Sequence, residues 1–389
     1  MKVLPLHTQT FFKRVASVAE HYGFCNVDEI CSSAVQTNKR NILGIHEHNS
    51  PDGHFDHHVL SSVLAHLAGS MELRKRHSLM FYTPSTVSSP GAPNTHVSAL
   101  TLNTIGVQDP LSEIMVMKTA ISILEELGIQ KYLLRVNSIG DSDSSARFVR
   151  EAGTQLRARA RDLSPEYATM VRTDVGMALS SLYESRHPIT KELPSPLDFL
   201  TSPSRKYFKE VLELLEHTDI PFELDDKLYG NHSMYAHTMY EIVEHTGDNA
   251  VEILARGGRY DNLTRAYSRS TIPAAGIVVA MHTKDHTGSL GRPPRKKALA
   301  CLVHIGREAR IKSISIIDAF RHEKIPIEQC LQYERFSEQI AYAQTRDTKY
   351  VIILGQREVH QNVVIVRNAN DRSQKTIPIH MLANFLKTA

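Results

Sequence analysis

Between Lys284 and Lys297 the sequence reads KDHTGSLGRPPRKK, and this stretch divides the chain into two units of different make-up. Glycine, proline and charge collect there without apolar periodicity, which is the composition of a linker. Downstream, ALACLVHIG (298–306) is a nearly continuous apolar run, as expected of a strand buried on both faces. REARIKSISIIDAFRHEK (307–324) follows at helical spacing, with Ile311, Ile314, Ile316, Ile317 and Phe320 on one face. A short strand at 325–330, a helix near 334–345, strands at 350–355 and 363–368 and a last helix around 379–387 complete the pattern. Strands alternating with helices over 298–389 predict a small three-layer α/β domain with a largely parallel sheet.

Residues 1–283 read differently. Helical spacing is expected at 8–22, 57–73, 110–127 and 202–217, the last opening on Thr201-Ser202-Pro203-Ser204, a good helix start. Strands bounded by turn residues are expected near 79–87, 97–105, 131–137, 238–245, 250–256 and 273–281. An Arg- and Ala-rich helical patch interrupts them and marks an insertion at about 142–196. The fold class is therefore α+β: an antiparallel-sheet body over 1–283 with a helical insertion, a linker at 284–297, and an α/β domain over 298–389.

Composition narrows the function classes. Apolar residues make up 41% of the 389 residues and charged residues 22%, a globular balance. No uninterrupted apolar stretch approaches the roughly 18 residues of a membrane span, and the amphipathic start MKVLPLHTQTFFKRVASVAEHYGF lacks the apolar core of a signal peptide. Four scattered cysteines (Cys25, Cys31, Cys301, Cys330), with no CxxC pair, suit free thiols in a reducing cytoplasm. A net charge of +3 does not argue for nucleic acid by itself. Local runs (Arg157, Arg159, Arg161; Arg292, Arg295, Lys296, Lys297) could touch phosphate, though such runs more commonly form a solvated face or linker.

The strongest local signal is ARGGRYDNL, Ala255 to Leu263. Paired glycines let the backbone approach a neighbour closely, and Arg-Tyr-Asp brings stacking and charge. The motif alone is also explained by a tight turn capped by Asp261. Its context is more specific: IGVQDPLSEIMVMKTAISILEELGI (105–129), RVNSIGD (135–141), LDFLTSPSRKYFKEVLELLEHTDIPFELDDKLYG (197–230) and MYAHTMYEIVEH (234–245) precede it in order. This series resembles histidyl-tRNA synthetases, with their phrases "INSLGD", "LDYL", "TRTVFEI" and GGRYD, and YVIILGQREVHQNVVIVRN (350–368) resembles that family's anticodon-binding domain. The resemblance runs from about residue 8 to 389. It implies a class II synthetase body, which makes an aminoacyl-adenylate from ATP and passes the acyl group to tRNA.

The same resemblance implies that the catalytic positions are altered. Chemistry at the α-phosphate depends on preorganised positive charge and Mg²⁺ as pyrophosphate leaves. In FYTPSTVSSPGAPNTHVSALTLNTIG (81–106) the phosphate arginine of the second class motif falls on Ser88, its glutamine on Ala99 and its glutamate on Asn103. The arginine of "VRGLDYYTRTVFE" falls on Gly230 and its aspartate on Ser233, whereas Tyr235, Thr238 and Glu241 match. The arginine of the third class motif falls on Thr283. The expected "RPEGT" phrase has no counterpart, and HEHNSPDGHFDHHVL (46–60) stands shortened in the region before it.

No catalytic residue is therefore expected. Tyr235, Glu241, Gly257, Gly258, Arg259 and Tyr260 remain as residual-pocket candidates, with ATP and Mg²⁺ expected only if activity persists. His46, His48, Asp52, His54, Asp56, His57 and His58 form a dense imidazole cluster that fits no structural-zinc spacing, so no metal is expected. His232, His237, His245 and His282 could replace a lost arginine only when protonated. The expected function is a non-catalytic relative that binds tRNA or serves as a regulatory or structural partner, as a homodimer in the cytoplasm and off the membrane. Two rivals stand beside it: an active histidine–tRNA ligase, and a regulatory subunit of ATP phosphoribosyltransferase, a family lacking the tail at 298–389.

Overall fold

The structure is a computed structural model that describes residues 2–30, 78–88, 95–218, 220–230, 234–246, 250–267, 271–284 and 297–388. The candidate helix at 57–73, the histidine-rich stretch at 46–58 and the linker interior at 285–296 lie outside the described residues.

Period-two alternation builds the body. In β3 (Leu79–Ser88), Met80 and Tyr82 join one core cluster, and Phe81 between them joins a second on the other face. β4 (Thr95–Ile105), β5 (Leu133–Gly140), β7 (Ala236–Thr246), β8 (Ala250–Arg259) and β9 (Ala274–Lys284) continue this sheet, each antiparallel to its neighbour in the order β3-β4-β9-β8-β7-β5. Short strands β2 (Cys25–Asn26) and β6 (Phe222–Leu224) flank it in parallel. β2 and β6 were unforeseen, and so was β1 (Val3–His7), which precedes the first helix and runs parallel to β9. The sheet is antiparallel-rich, as the sequence implied.

One sheet face packs on α1 (Thr8–His21), α2 (Leu111–Glu126) and, later in the chain, the helix Ser202–Glu216. In α2 only Lys118, Glu125 and Glu126 escape burial, so the helix is enclosed almost all round. The other face meets inserted helices α3 (Ser142–Ala158), α4 (Pro165–Thr173) and α5 (Val175–Glu184) through Phe148, Leu179, Leu182 and Tyr183. Asp141 caps α3, and Thr201 caps the Ser202–Glu216 helix (α6). The Thr201 hydroxyl donates to Asp141 at 2.6 Å, fixing where the insertion leaves and rejoins the body. Burial alone would raise the Asp141 carboxyl, but hydrogen bonds from Thr201 and Ser144 hold it well below the usual range.

The tail sheet has the order β11-β10-β12-β13-β14, from β10 (Ala300–His304), β11 (Ile327–Gln329), β12 (Tyr350–Leu354), β13 (Val363–Asn368) and β14 (Gln374–Pro378). All five residues of β10 are buried, as its apolar run implied. The expected largely parallel sheet needs correction, however. β10 pairs in parallel with β11 and β12, but β12-β13 and β13-β14 are antiparallel. β14 escaped notice because only Ile377 of QKTIP is fully buried, so this edge strand shows no apolar alternation. α8 (Arg307–His322) and α10 (Ile379–Thr388) cover one sheet face and α9 (Phe336–Thr345) the other; α7 is the body helix Asp261–Tyr267. No helix among the described residues is long and apolar enough to cross a membrane.

Charge joins the two sheets. Lys118 and Glu125, two of the three unburied residues of α2, pair with Asp318 and Arg321 of α8. Arg310 reaches Asp109 at 3.1 Å, and the Tyr22 hydroxyl donates to Asp318 at 2.6 Å.

His304 makes the tail sensitive to acid. It is 2% exposed, and burial, with help from the Arg310 charge, pushes its imidazole down to about 4. Below pH 6.5 the unfolded histidine gains a proton that the folded one refuses until about pH 4. Stability from this group is complete above 6.5 and lost as pH falls through that window, by about 3 kcal/mol. Urea midpoints measured between pH 7 and 4 should fall, and His304→Gln should remove part of the slope; an unchanged slope refutes the assignment.

Candidate functional site

The three positions where the resemblance expects arginines fall at two places in the fold. In register, Ser88 lies opposite His96 and His96 opposite Thr283, so Ser88 and Thr283 share one end of β3, β4 and β9. Thr283 is 1% exposed, and its Oγ1 lies 2.8 Å from Ser98 Oγ and 2.9 Å from Thr8 Oγ1. This hydroxyl chain ties β9 to β4 and to the start of α1. Gly230 sits elsewhere, beside β7: a Cβ there would meet Met239 Cε at 2.4 Å and Tyr235 Cδ2 at 3.0 Å. Thr283 is enclosed, whereas a side chain at Gly230 would need the flexible end of Met239 to swing aside. Ala99 pairs with Ser85 and Ala280, and Asn103 is buried, its Oδ1 accepting from the Tyr260 hydroxyl at 2.9 Å. Ser233 lies outside the described residues.

The residual-pocket candidates divide into two groups. Gly257 and Gly258 serve strand packing. A Cβ on Gly257 would stand 2.1 Å from Gly276 O, and one on Gly258 2.8 Å from Thr238 O. Those contacts are with backbone and cannot swing aside. The Tyr240 hydroxyl, donating to Gly276 O at 3.1 Å, fills the remaining space. Tyr235, 5% exposed, packs against Gly258 and Gly230.

Arg259 turns into the fold rather than toward solvent. It is 2% exposed; its Nε donates to Asp261 at 2.9 Å, its Nη1 donates to the Tyr207 hydroxyl at 2.8 Å, and Nη1 lies 3.6 Å from Glu113 Oε2. The Tyr207 hydroxyl in turn donates to Glu113, and Asp261 accepts from the Ala274 amide at 2.8 Å. One motif thus clamps α2, α6, β8, α7 and β9. Burial works against the Arg259 charge, but Tyr207, Asp261 and Glu113 outweigh it and hold the guanidinium protonated. Glu113 is pushed up, because its complete burial penalises the carboxylate more than Arg259 relieves it. Asp261, the closer acid, is the principal counter-charge.

Neither His237 nor His282 is set to carry a positive charge near neutral pH. His237 holds a left-handed φ of +57° at a bulge in β7, with its ring 5.0 Å from that of Tyr207. Burial first, then the Arg259 charge, lowers its imidazole, so it is neutral near pH 7. His282 is lowered by burial as well. His232 lies outside the described residues.

Glu241 is the candidate with an open neighbour. Its side chain is 4% exposed and lies 2.6 Å from Arg256 Nε, and both face a cavity of about 240 Å³. Glu113 and Tyr207 were missed in the sequence, although Glu113 is the one acid in the apolar run Leu111–Leu124. Arg256 had no signal. Among the described residues no group of three or more His, Cys, Asp or Glu side chains could hold a metal ion.

Residues 300–389 match the anticodon binding domain family. A histidine–tRNA ligase of Geobacillus kaustophilus is 28% identical over 288 residues, which cover 72% of this chain and 67% of that protein. Its counterpart in Bacillus velezensis is 27% identical over 290 residues, covering 74% and 68%. Among solved structures, the apo histidyl-tRNA synthetase of S. aureus aligns over 85% of this chain and 81% of its own, at 19% identity and a TM-score of 0.47.

Proposed function

We propose, for a chain that belongs to the histidyl-tRNA synthetase family, a role in binding tRNA or a tRNA-like element without charging it. One observation carries this reading. Where the resemblance expects phosphate-binding arginines, Thr283 is committed to a hydroxyl chain and Gly230 carries no side chain at all. Of the cations nearby, Arg259 is engaged by Asp261 and Arg135 by Glu223 at 2.9 Å. The anticodon-type domain at 300–389 supports retention of the RNA-binding half of the family's work. On this reading the protein acts as a homodimer in the cytoplasm, with RNA or a regulatory partner as its target.

Bulk tRNA, titrated at two salt concentrations with a filter or fluorescence readout, tests the proposal. Raising salt from about 50 to about 200 mM should weaken binding roughly a hundredfold if about four phosphates are contacted. Absence of binding at the lower salt would sink the tRNA reading.

A further inference from the structure

The cavity beside Glu241 lies between the inserted helices and the outer strands of the body, away from the Ser88–Thr283 end of the sheet. β5, β7 and β8 form its floor, where Arg135, Glu241 and Arg256 stand in direct cross-strand register. The C-terminal end of α5 and the turn after it form the roof, through Tyr183, Arg186 and Lys191.

Three features make this a site rather than a packing gap. First, five cationic side chains line about 240 Å³; Lys227 pairs with Asp226 at 3.3 Å and Arg135 with Glu223, which leaves Arg186, Lys191 and Arg256 to favour an anion inside. Second, the Tyr183 hydroxyl is buried, in a residue only 5% exposed, and has no hydrogen-bond partner. A hydroxyl in that state costs the fold about 1–3 kcal/mol unless something completes it. Third, Glu241 Oε1 and Arg256 Nε lie 2.6 Å apart, yet the N–H is not directed at the oxygen, so neither atom's hydrogen bond is made. Arg135 is already held by Glu223 and lies 3.9 Å from Asp225. At the rim, Arg186 and Lys191 have no carboxylate within 4.0 Å among the described residues, and Arg186 is set there by a left-handed φ of +51°.

We infer that this cavity binds a small organic anion, a carboxylate or phosphate on a short body. The anionic group pairs with Arg186, Lys191 and the free edge of Arg256, and a polar atom of the body accepts from Tyr183. Leu228 and Ile253 supply an apolar wall. The inference does not depend on RNA binding, since the cavity belongs to the body rather than to the tail.

Calorimetric titration of the full chain with glutarate and with glycerol 3-phosphate tests it and separates the two anion chemistries. At least one should saturate at or below about 1 mM. Arg186→Glu and Lys191→Glu, both at exposed positions, should each weaken that affinity about tenfold, as for loss of a charge-assisted hydrogen bond. Tyr183→Phe should weaken it about threefold while leaving the unliganded fold as stable or more so, because it deletes an unmade hydrogen bond. Failure of both anions to bind overturns the inference, and so does binding that none of the three variants weakens.

Discussion

Arg259→Ala is expected to lower unfolding stability by about 3–5 kcal/mol, the usual consequence of removing one partner from a buried ion pair. The side chain is 2% exposed, and it satisfies Asp261, Tyr207 and, at longer range, Glu113. Its loss leaves two acids behind, one fully buried, with no positive charge between them. Glu113 can escape by protonating, which its raised pKa already favours. Asp261 cannot escape so easily, because it must remain an acceptor for the Ala274 amide. Arg259→Ala combined with Glu113→Gln should therefore recover part of the loss, whereas Glu113→Gln alone should cost less than Arg259→Ala. Urea unfolding of the three variants decides the matter. A loss under about 1 kcal/mol for Arg259→Ala would place it among ordinary surface ion pairs, and the arginine would then be available to a ligand after all.

Histidine-dependent ATP–pyrophosphate exchange by the full chain should be indistinguishable from the enzyme-free background. Removing one preorganised donor at a developing oxyanion costs about 10²–10³ in rate, or roughly 3–4 kcal/mol. On the proposed reading, three such positions are altered. Nor should the activity return with Gly230→Arg. A Cβ there would stand 2.4 Å from Met239 Cε, so that flexible side chain must swing aside, and on the proposed reading the other two expected arginines would still be missing. Exchange that requires histidine and rises in proportion to protein concentration would overturn the non-catalytic reading. It would also direct attention to the residues outside the described set, including 46–60 and 89–94.

The body's elements were legible because their signals are local. Alternation in Leu79–Ser88, the Thr201-Ser202-Pro203 start and the enclosed Leu111–Glu126 helix each follow from neighbouring residues in the chain. Four strands were not legible, two of them, Cys25–Asn26 and Phe222–Leu224, only two and three residues long. QKTIP and VLPLH lie at sheet edges, where only one or two side chains meet the core and backbone pairing decides the structure. The site was less legible still. GGRYD could be read equally as a ligand loop or as a turn, and nothing in its own residues separates the two.

By itself, the sequence determined the two architectures, an antiparallel-rich body and an α/β tail, and only through a resemblance did it suggest that Ser88, Gly230 and Thr283 stand where arginines are expected. These are matters of period, composition and identity, and each is complete within a window of the chain. Only the tertiary structure decided what the surviving polar residues do. Glu113 and Arg259 are 146 positions apart, yet they share one buried network. Tyr183 and Arg256 meet only because the inserted helices fold back over β8. Whether a charge is free or committed depends on its distance from its counter-charge and on the dielectric between them, and folding sets both.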